Sequence, residues 1–334
     1  MTAALVHPAS EVRPVKNARV IRRFTSEHGE PQEEVACLLC GSAEHAPVFD
    51  SQDVLYDKPG TYRLVRCNDC SLAYVNPRPS FDALITHYPD DYFCYAAPEA
   101  QPGIFGAMAE ANARRLTQRR LQRLERVIGR IPATAEIIDV GCGLNQLLAM
   151  IKSERGAVGT GIDIKEQMVA RIKDSLGMPA IHGTLTDANL PEAKLDLVLM
   201  LEYLEHELNP GAVLAEARRV LKTGGHVAVE IPHPTGWPAR FFKSRWANLD
   251  LPRHLVFFDE RTLRRAFADH GFELVDYRPF THPLVFGINI VIYLGGKNLG
   301  RKPWAPLVMS ALGVPFLPFT PWLPEFALAV GRAV

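Results

Sequence analysis

From Ala135 onward short apolar runs alternate with amphipathic segments, and no other feature narrows the fold so far. Each run is nearly continuous in Val, Ile and Leu, as a strand covered on both faces must be, and each amphipathic segment can carry the chain back across a sheet. That is the pattern of βαβ units in a parallel α/β sheet. Strands are expected at 136–140, 158–164, 180–182, 195–201, 226–231 and 272–277. Helices are expected at 147–153, 166–175, 211–221 and 260–270, the last capped by Asp259. A longer helix, 107–128, precedes them, because Leu116, Leu121, Leu124 and Ile128 recur at near-helical spacing between arginines.

The first strand ends in Asp139-Val140-Gly141-Cys142-Gly143, an apolar run that turns through two glycines into a helix. Glycines there let the backbone approach a ligand closely at the helix start, as a nucleotide-type site requires. The next strand ends in Asp163, twenty residues beyond Gly143, where a carboxylate can accept hydrogen bonds from both hydroxyls of a ribose. A glycine pair alone fits a tight strand-to-helix turn and a solvated aspartate equally well. Three features separate the two readings: Asp139 stands before the first glycine where a dinucleotide fold is usually apolar, the third glycine of a pyrophosphate loop is missing, and the fourth strand ends in an acidic turn.

Together these residues resemble the class I S-adenosylmethionine-dependent methyltransferases, over 137–277 and again over 325–334, which is similar to that family's last antiparallel strand. The resemblance implies an α/β fold with a seven-stranded Rossmann-like sheet and S-adenosylmethionine as cofactor. It implies Asp139, Gly141, Cys142 and Gly143 around the amino-acid part, Asp163 on the ribose and Ile164 against the adenine. Thr184 and Leu185 fall at the adenine edge, Leu201 counts among the cofactor residues, and Asp187 is the one acidic candidate for that edge. Where the family often has a further glycine this chain has Asn145, which tolerates the left-handed conformation.

The fourth strand delivers Glu202-Tyr203-Leu204-Glu205-His206 to the carboxyl edge of the sheet, where ligands bind in open α/β folds. In a helical turn Glu202, Glu205 and His206 share one face, and such a face can hold a divalent ion. The pattern is similar to one in the ubiquinone-pathway O-methyltransferases and the small-RNA 2′-O-methyltransferases. That resemblance implies a metal beside the acceptor hydroxyl, which lowers the hydroxyl pKa so that the oxyanion attacks the methyl group, and His254 can supply a fourth ligand. Without a metal, Glu205 and His206 tie the loop to the cofactor helix and His206, His233 or His254 is the general base. His254 leads the three, since 246–258 resembles the Trp…Pro-x-His-Leu…Phe stretch of bacterial methyltransferases from glycan and natural-product clusters.

Two knuckles, Cys37-Leu38-Leu39-Cys40 and Cys67-Asn68-Asp69-Cys70, lie 26 residues apart and can close a tetrahedral four-thiolate zinc site, while Cys94 and Cys142 stand alone. This usage suits a reducing compartment, and the amino terminus lacks the pattern of a signal peptide, so a cytoplasmic location is expected. Four thiolates fill the coordination sphere, so the zinc is expected to be structural. The chain then divides into a tail (1–33), a zinc ribbon (34–80), a helical linker or cap (81–132) and a catalytic domain (133–334) that carries an apolar insertion at 283–323.

With 37 basic and 37 acidic residues the chain has no overall charge to draw it to nucleic acid, and a nucleic-acid partner is not expected. Seven arginines between Arg114 and Arg130, against Glu125 alone, form a basic helix face that is either solvated or in contact with phosphate groups. The apolar insertion can pack as paired helices over an acceptor pocket, or touch a membrane and bind a lipid-linked substrate. The leading expectation is O-methylation of a hydroxylated small molecule or glycan. Transfer to nitrogen or carbon, an RNA methyltransferase and a non-catalytic zinc-ribbon adaptor are the alternatives, and oligomeric state is not written in the sequence.

Overall fold

A computed structural model of the chain describes residues 19–89, 104–144, 146–281, 283–296 and 323–334. Cys94, Asn145 and most of the apolar insertion, 297–322, lie outside the described residues. The segment expected as a tail forms, over its described part, a hairpin of β1 (Val20–Thr25) and β2 (Pro31–Val35), turned at Gly29 with φ +80°. An antiparallel meander follows: β3 (His45–Ser51), β4 (Tyr62–Cys67) and β5 (Ala73–Val75). A short β6 (Arg78–Pro79) pairs with β2, and Ser80 caps α1 (Phe81–Ile85) by accepting from Ala83 N.

The larger layer begins with α2 (Ile104–Ile128) and then alternates as the apolar runs demand: β7 (Ile137–Val140), α3 (Gln146–Arg155), β8 (Thr160–Asp163), α4 (Glu166–Leu176), β9 (Ala180–His182), β10 (Leu195–Leu201), α5 (Pro210–Val220) and β11 (Leu221–Pro232). Next come α6 (Trp237–Phe242), β12 (Val256–Phe257), α7 (Glu260–Asp269), β13 (Phe272–Phe280), α8 (Pro283–Tyr293) and β14 (Phe326–Ala333). Seven strands form one sheet in the order β13-β14-β11-β10-β7-β8-β9, with β14 antiparallel to both neighbours. The period of two along each strand sends Ile138, Val198, Met200 and Val227 to the face covered by α5 and α7, and Ile137, Leu197, Leu199 and Ala228 to the face covered by α2, α3 and α4. Both faces are thereby buried, the reason the strands read as continuous apolar runs. Among the described residues no helix is long and apolar enough to cross a membrane.

Two strands run longer than their apolar signal. β11 starts at Leu221 because Leu195 pairs with Leu221 before the register shifts to Leu197 with His226, and the bulged residues include Gly224 at φ +80°. β13 continues to Phe280 because β14 pairs with it that far, an edge pairing that leaves polar residues such as Arg278 in the strand.

The two layers are joined by a shared strand and a buried ion cluster. β12, from the loop after α6, pairs with β5, so the meander becomes a four-stranded sheet ordered β12-β5-β4-β3. Beside it the fully buried Arg253 guanidinium donates to both oxygens of Asp53 at 2.7 and 2.8 Å, to Asp250 at 2.5 and 3.0 Å and to the His87 carbonyl at 3.1 Å. Asp53 comes from the turn after β3 and Asp250 from the loop after α6, so the guanidinium bridges layers 200 residues apart in sequence. Removing one carboxylate from a buried pair leaves charge without compensation. Asp53→Asn is therefore expected to lower unfolding free energy by about 3 kcal/mol, measured by urea titration, whereas a loss below about 0.5 kcal/mol would show that the cluster does not hold the layers together.

Candidate functional site

The glycine turn lies where β7 meets α3. Gly141 and Gly143 have φ of +66° and +47°, values that side chains rarely adopt. The Gly141 and Cys142 amides donate to the Ile162 carbonyl at 2.9 and 3.1 Å, which ties the turn to β8. Asp163, at the end of β8, accepts from the Gly143 amide at 2.9 Å and the Lys165 amide at 2.8 Å, with carboxylate lone pairs to spare. A Cβ on Gly141 would stand 2.3 Å from the Tyr203 ring, so only glycine lets the loop after β10 approach the turn this closely. Cys142 is buried, Ile164 is exposed beside Asp163 and Leu201 is half-buried at the end of β10.

After β9 the expected adenine-edge residues separate. Thr184 donates its hydroxyl to Asp187 at 2.7 Å and its amide at 3.1 Å, closing a turn. The Leu185 side chain is fully buried in the core with Ile162, so it is spent on packing and only its backbone is left for the site.

Asp139 sits on the α2 face of β7 and is nearly fully buried. Burial, reinforced by Asp163 and opposed by Arg120, raises its pKa to about 7. Arg120 and Glu230 stand beside Asp139 at this candidate site, and neither was singled out in the sequence. From α2 the Arg120 guanidinium donates to Glu230 Oε2 at 2.8 Å, to Glu230 Oε1 and to Glu202 Oε1 at 2.9 Å. Nothing in the sequence distinguishes Arg120 from its six neighbouring arginines, but a lone glutamate in the apolar run Val227-Ala228-Val229-Glu230-Ile231 was a signal.

This arrangement corrects the expectation for Glu202. The turn is helical only over Leu204–His206, and Glu202 has φ +55° with its amide donating to the Glu230 carbonyl at 2.7 Å. Glu202 thus ends the strand, faces Arg120 and does not share a face with Glu205 and His206.

Glu205, His206 and His254 do converge, each offering a ligand atom within 4.8 Å of the others. The two imidazoles meet edge to face with centroids 4.6 Å apart. His206 Nδ1 lies 3.0 Å from the Arg253 carbonyl and 2.9 Å from the Tyr88 hydroxyl, and His254 Nδ1 lies 2.8 Å from the Asn248 carbonyl. A ring nitrogen against a carbonyl carries the proton, so each Nε2 is a lone-pair donor. Burial depresses the pKa of both rings. Glu205 is 1% exposed, and neither carboxylate oxygen has a hydrogen-bond partner among the described residues. Burial drives its pKa far above the usual carboxylate range. His233, the third candidate base, sits apart with its Nδ1 2.9 Å from the Tyr277 hydroxyl.

On the far side of β5 the four cysteine sulfurs also converge within 4.8 Å, with Cys37 3.4 Å from Cys70 and Cys40 3.5 Å from Cys67. Tetrahedral coordination with metal–sulfur bonds of about 2.3 Å puts sulfurs about 3.8 Å apart, so the cluster has the dimensions of a four-thiolate zinc site. Tight turns closed by Gly41 N to Cys37 O at 2.9 Å and Ser71 N to Cys67 O at 3.0 Å aim each pair inward.

The raised pKa of Asp139 has a measurable consequence. The folded protein keeps a proton that the unfolded chain, with an ordinary value of 3.8, releases first, so unfolding free energy declines as pH rises from about 4 to about 7. Asp139→Asn should flatten that decline in urea titrations across the window; an unchanged slope would remove Asp139 as its source.

Residues 108–277, half of the chain, match the family model described as a methyltransferase domain. The 27-O-demethylrifamycin SV methyltransferase of Amycolatopsis mediterranei (strain S699) is 28% identical over 128 residues, 34% of this chain and 47% of that protein. The demethylmenaquinone methyltransferase of Tropheryma whipplei (strain Twist) is 32% identical over 117 residues, 34% of this chain and 48% of that protein. The ubiquinone biosynthesis O-methyltransferase of Pseudomonas aeruginosa (strain LESB58) is 34% identical over 101 residues, 28% of this chain and 43% of that protein. The chain thus spans about half the length of the curated relatives it matches. With the glycine turn, Asp163 and the acidic turn after β10 all inside the matched region, the chain belongs to the methyltransferase-domain family.

Proposed function

We propose that this chain transfers the methyl group of S-adenosylmethionine to a hydroxyl of a small molecule or glycan. The observation that carries this reading is Glu205: among the described residues its buried carboxylate has no hydrogen-bond partner, its ligand atom lies within 4.8 Å of those of His206 and His254, and Tyr203 of the same loop packs against Gly141. Asp139, Gly141, Cys142 and Gly143 surround the amino-acid part of the cofactor and Asp163 accepts from the ribose hydroxyls. Ile164 and Leu201 supply apolar contact, and the backbone of Thr184 and Leu185 meets the adenine edge. Transfer moves a methyl from sulfur to the acceptor oxygen, releases S-adenosylhomocysteine and sends the hydroxyl proton to a base. Relatives named for O-methylation of a rifamycin and for ubiquinone biosynthesis support a hydroxylated acceptor.

Glu205, His206 and His254 fit a divalent cation, because the orphaned carboxylate needs a positive partner and both histidines have their Nδ1–H anchored on carbonyls, as metal-bound histidines do. A divalent ion there supplies Lewis acidity that lowers the pKa of an acceptor hydroxyl. If the site works without metal, His254 takes the proton at Nε2, its Nδ1–H still held by Asn248. Cys37, Cys40, Cys67 and Cys70 would hold a structural zinc, tying the turn between β4 and β5 to the segment before β3.

The deciding experiment measures transfer from methyl-labelled S-adenosylmethionine to hydroxylated compounds fractionated from cell extract, with the product identified by mass spectrometry. Glu205→Gln should lower kcat by about a hundredfold with cofactor affinity unchanged, and His254→Ala should do the same. Turnover equal to wild type in Glu205→Gln would sink the site assignment, and activity that survives chelation would leave His254 as the base. Metal analysis should find about one zinc per chain, lost with the folded ribbon in Cys67→Ser; a zinc-free native protein rejects the ribbon site.

A further inference from the structure

The exposed aromatic side chains of the described structure gather at one place. Trp237 and Phe241 of α6 stack with centroids 4.6 Å apart, and Tyr293 at the end of α8 lies 5.6 Å from Phe241. With the adjoining Leu294 they are 45%, 48%, 48% and 77% exposed, and clustered exposure of this kind marks an interaction surface where scattered exposure does not. Around them Arg240, Lys243 and Arg245 are exposed, and residues 236–247 contain no acidic side chain.

Beneath this patch Phe242 packs edge to face on Trp237 and Tyr293. It shares one apolar cluster with Trp246 and Phe257, and Phe257 lies 6.3 Å from the His254 ring. The apolar cluster beneath the patch therefore extends to the His254 ring.

We propose that α6 and the end of α8 dock on an anionic bilayer surface, and that the acceptor is a lipid-soluble hydroxylated molecule reaching His254 from that side. Trp and Tyr rings prefer the headgroup level, and arginine and lysine beside them pair with anionic headgroups. A second copy of the chain is a poor occupant, because a two-fold contact would set Arg240, Lys243 and Arg245 against their own copies. The docking half stands by itself, and the acceptor half rests on the methyltransferase reading.

The test is co-sedimentation of the full chain with vesicles of phosphatidylcholine alone and of phosphatidylcholine mixed equally with phosphatidylglycerol. Binding is expected to the anionic vesicles only and to weaken with salt. Trp237→Ser with Phe241→Ser, and separately Arg240→Glu with Lys243→Glu, should each weaken it at least about tenfold while the melting temperature stays near wild type. Docking is overturned if wild type ignores the anionic vesicles, if both double variants bind as wild type does, or if light scattering finds a wild-type dimer that the aromatic variant dissolves. Calorimetry with S-adenosylmethionine reads the catalytic assignment separately: cofactor binding without vesicle binding rejects docking alone, and the reverse rejects the methyltransferase reading alone.

Discussion

A guanidinium taken out of water is tolerable only when nearly every donor finds an acceptor, and Arg253 meets that condition by drawing on three parts of the chain at once. Asp53 belongs to the cysteine-containing layer, the His87 carbonyl to the turn after α1 and Asp250 to the loop after α6. Because the charge cannot be left half-paired, these segments hold a fixed arrangement. The Arg253 carbonyl then faces His206 Nδ1, and the next residue is His254. The orientation of both histidines thus depends on an ion cluster whose Asp250 also lies 3.9 Å from His254 Nε2.

The carboxyl edge of the large sheet contrasts with that balance. Asp139, Asp163, Glu205 and Glu230 are all buried there, while Arg120 is the guanidinium paired with Glu230. Backbone amides offset Asp163 in part, Arg120 pairs with Glu230 and opposes the burial of Asp139 in part, and burial raises the pKa of both aspartates. Glu205 has no such offset. An edge with this surplus of carboxylate suits ligands that bring positive charge, and a sulfonium and a divalent cation both do so.

The order of strands and helices was legible in residues 135–277 because burial on both faces forces continuous apolar runs, and the glycine turn was legible because positive φ demands glycine. The cysteine spacing likewise anticipated a cluster that the meander closes. Signals failed where pairing rather than apolarity sets the element: the bulged start of β11, the far end of β13 and the two-residue β12.

The sequence by itself determined the α/β alternation, the ligand-approach turn at Gly141 and Gly143 and the presence of a histidine-carboxylate set after β10, since these follow from local periodicity and spacing. Only the tertiary structure decided that Glu202 leaves that set for Arg120, that the Glu205 carboxylate has no hydrogen-bond partner among the described residues, and that Asp53 anchors the loop carrying His254. Those outcomes depend on which charges become neighbours after being buried, a long-range property that no spacing along the chain encodes.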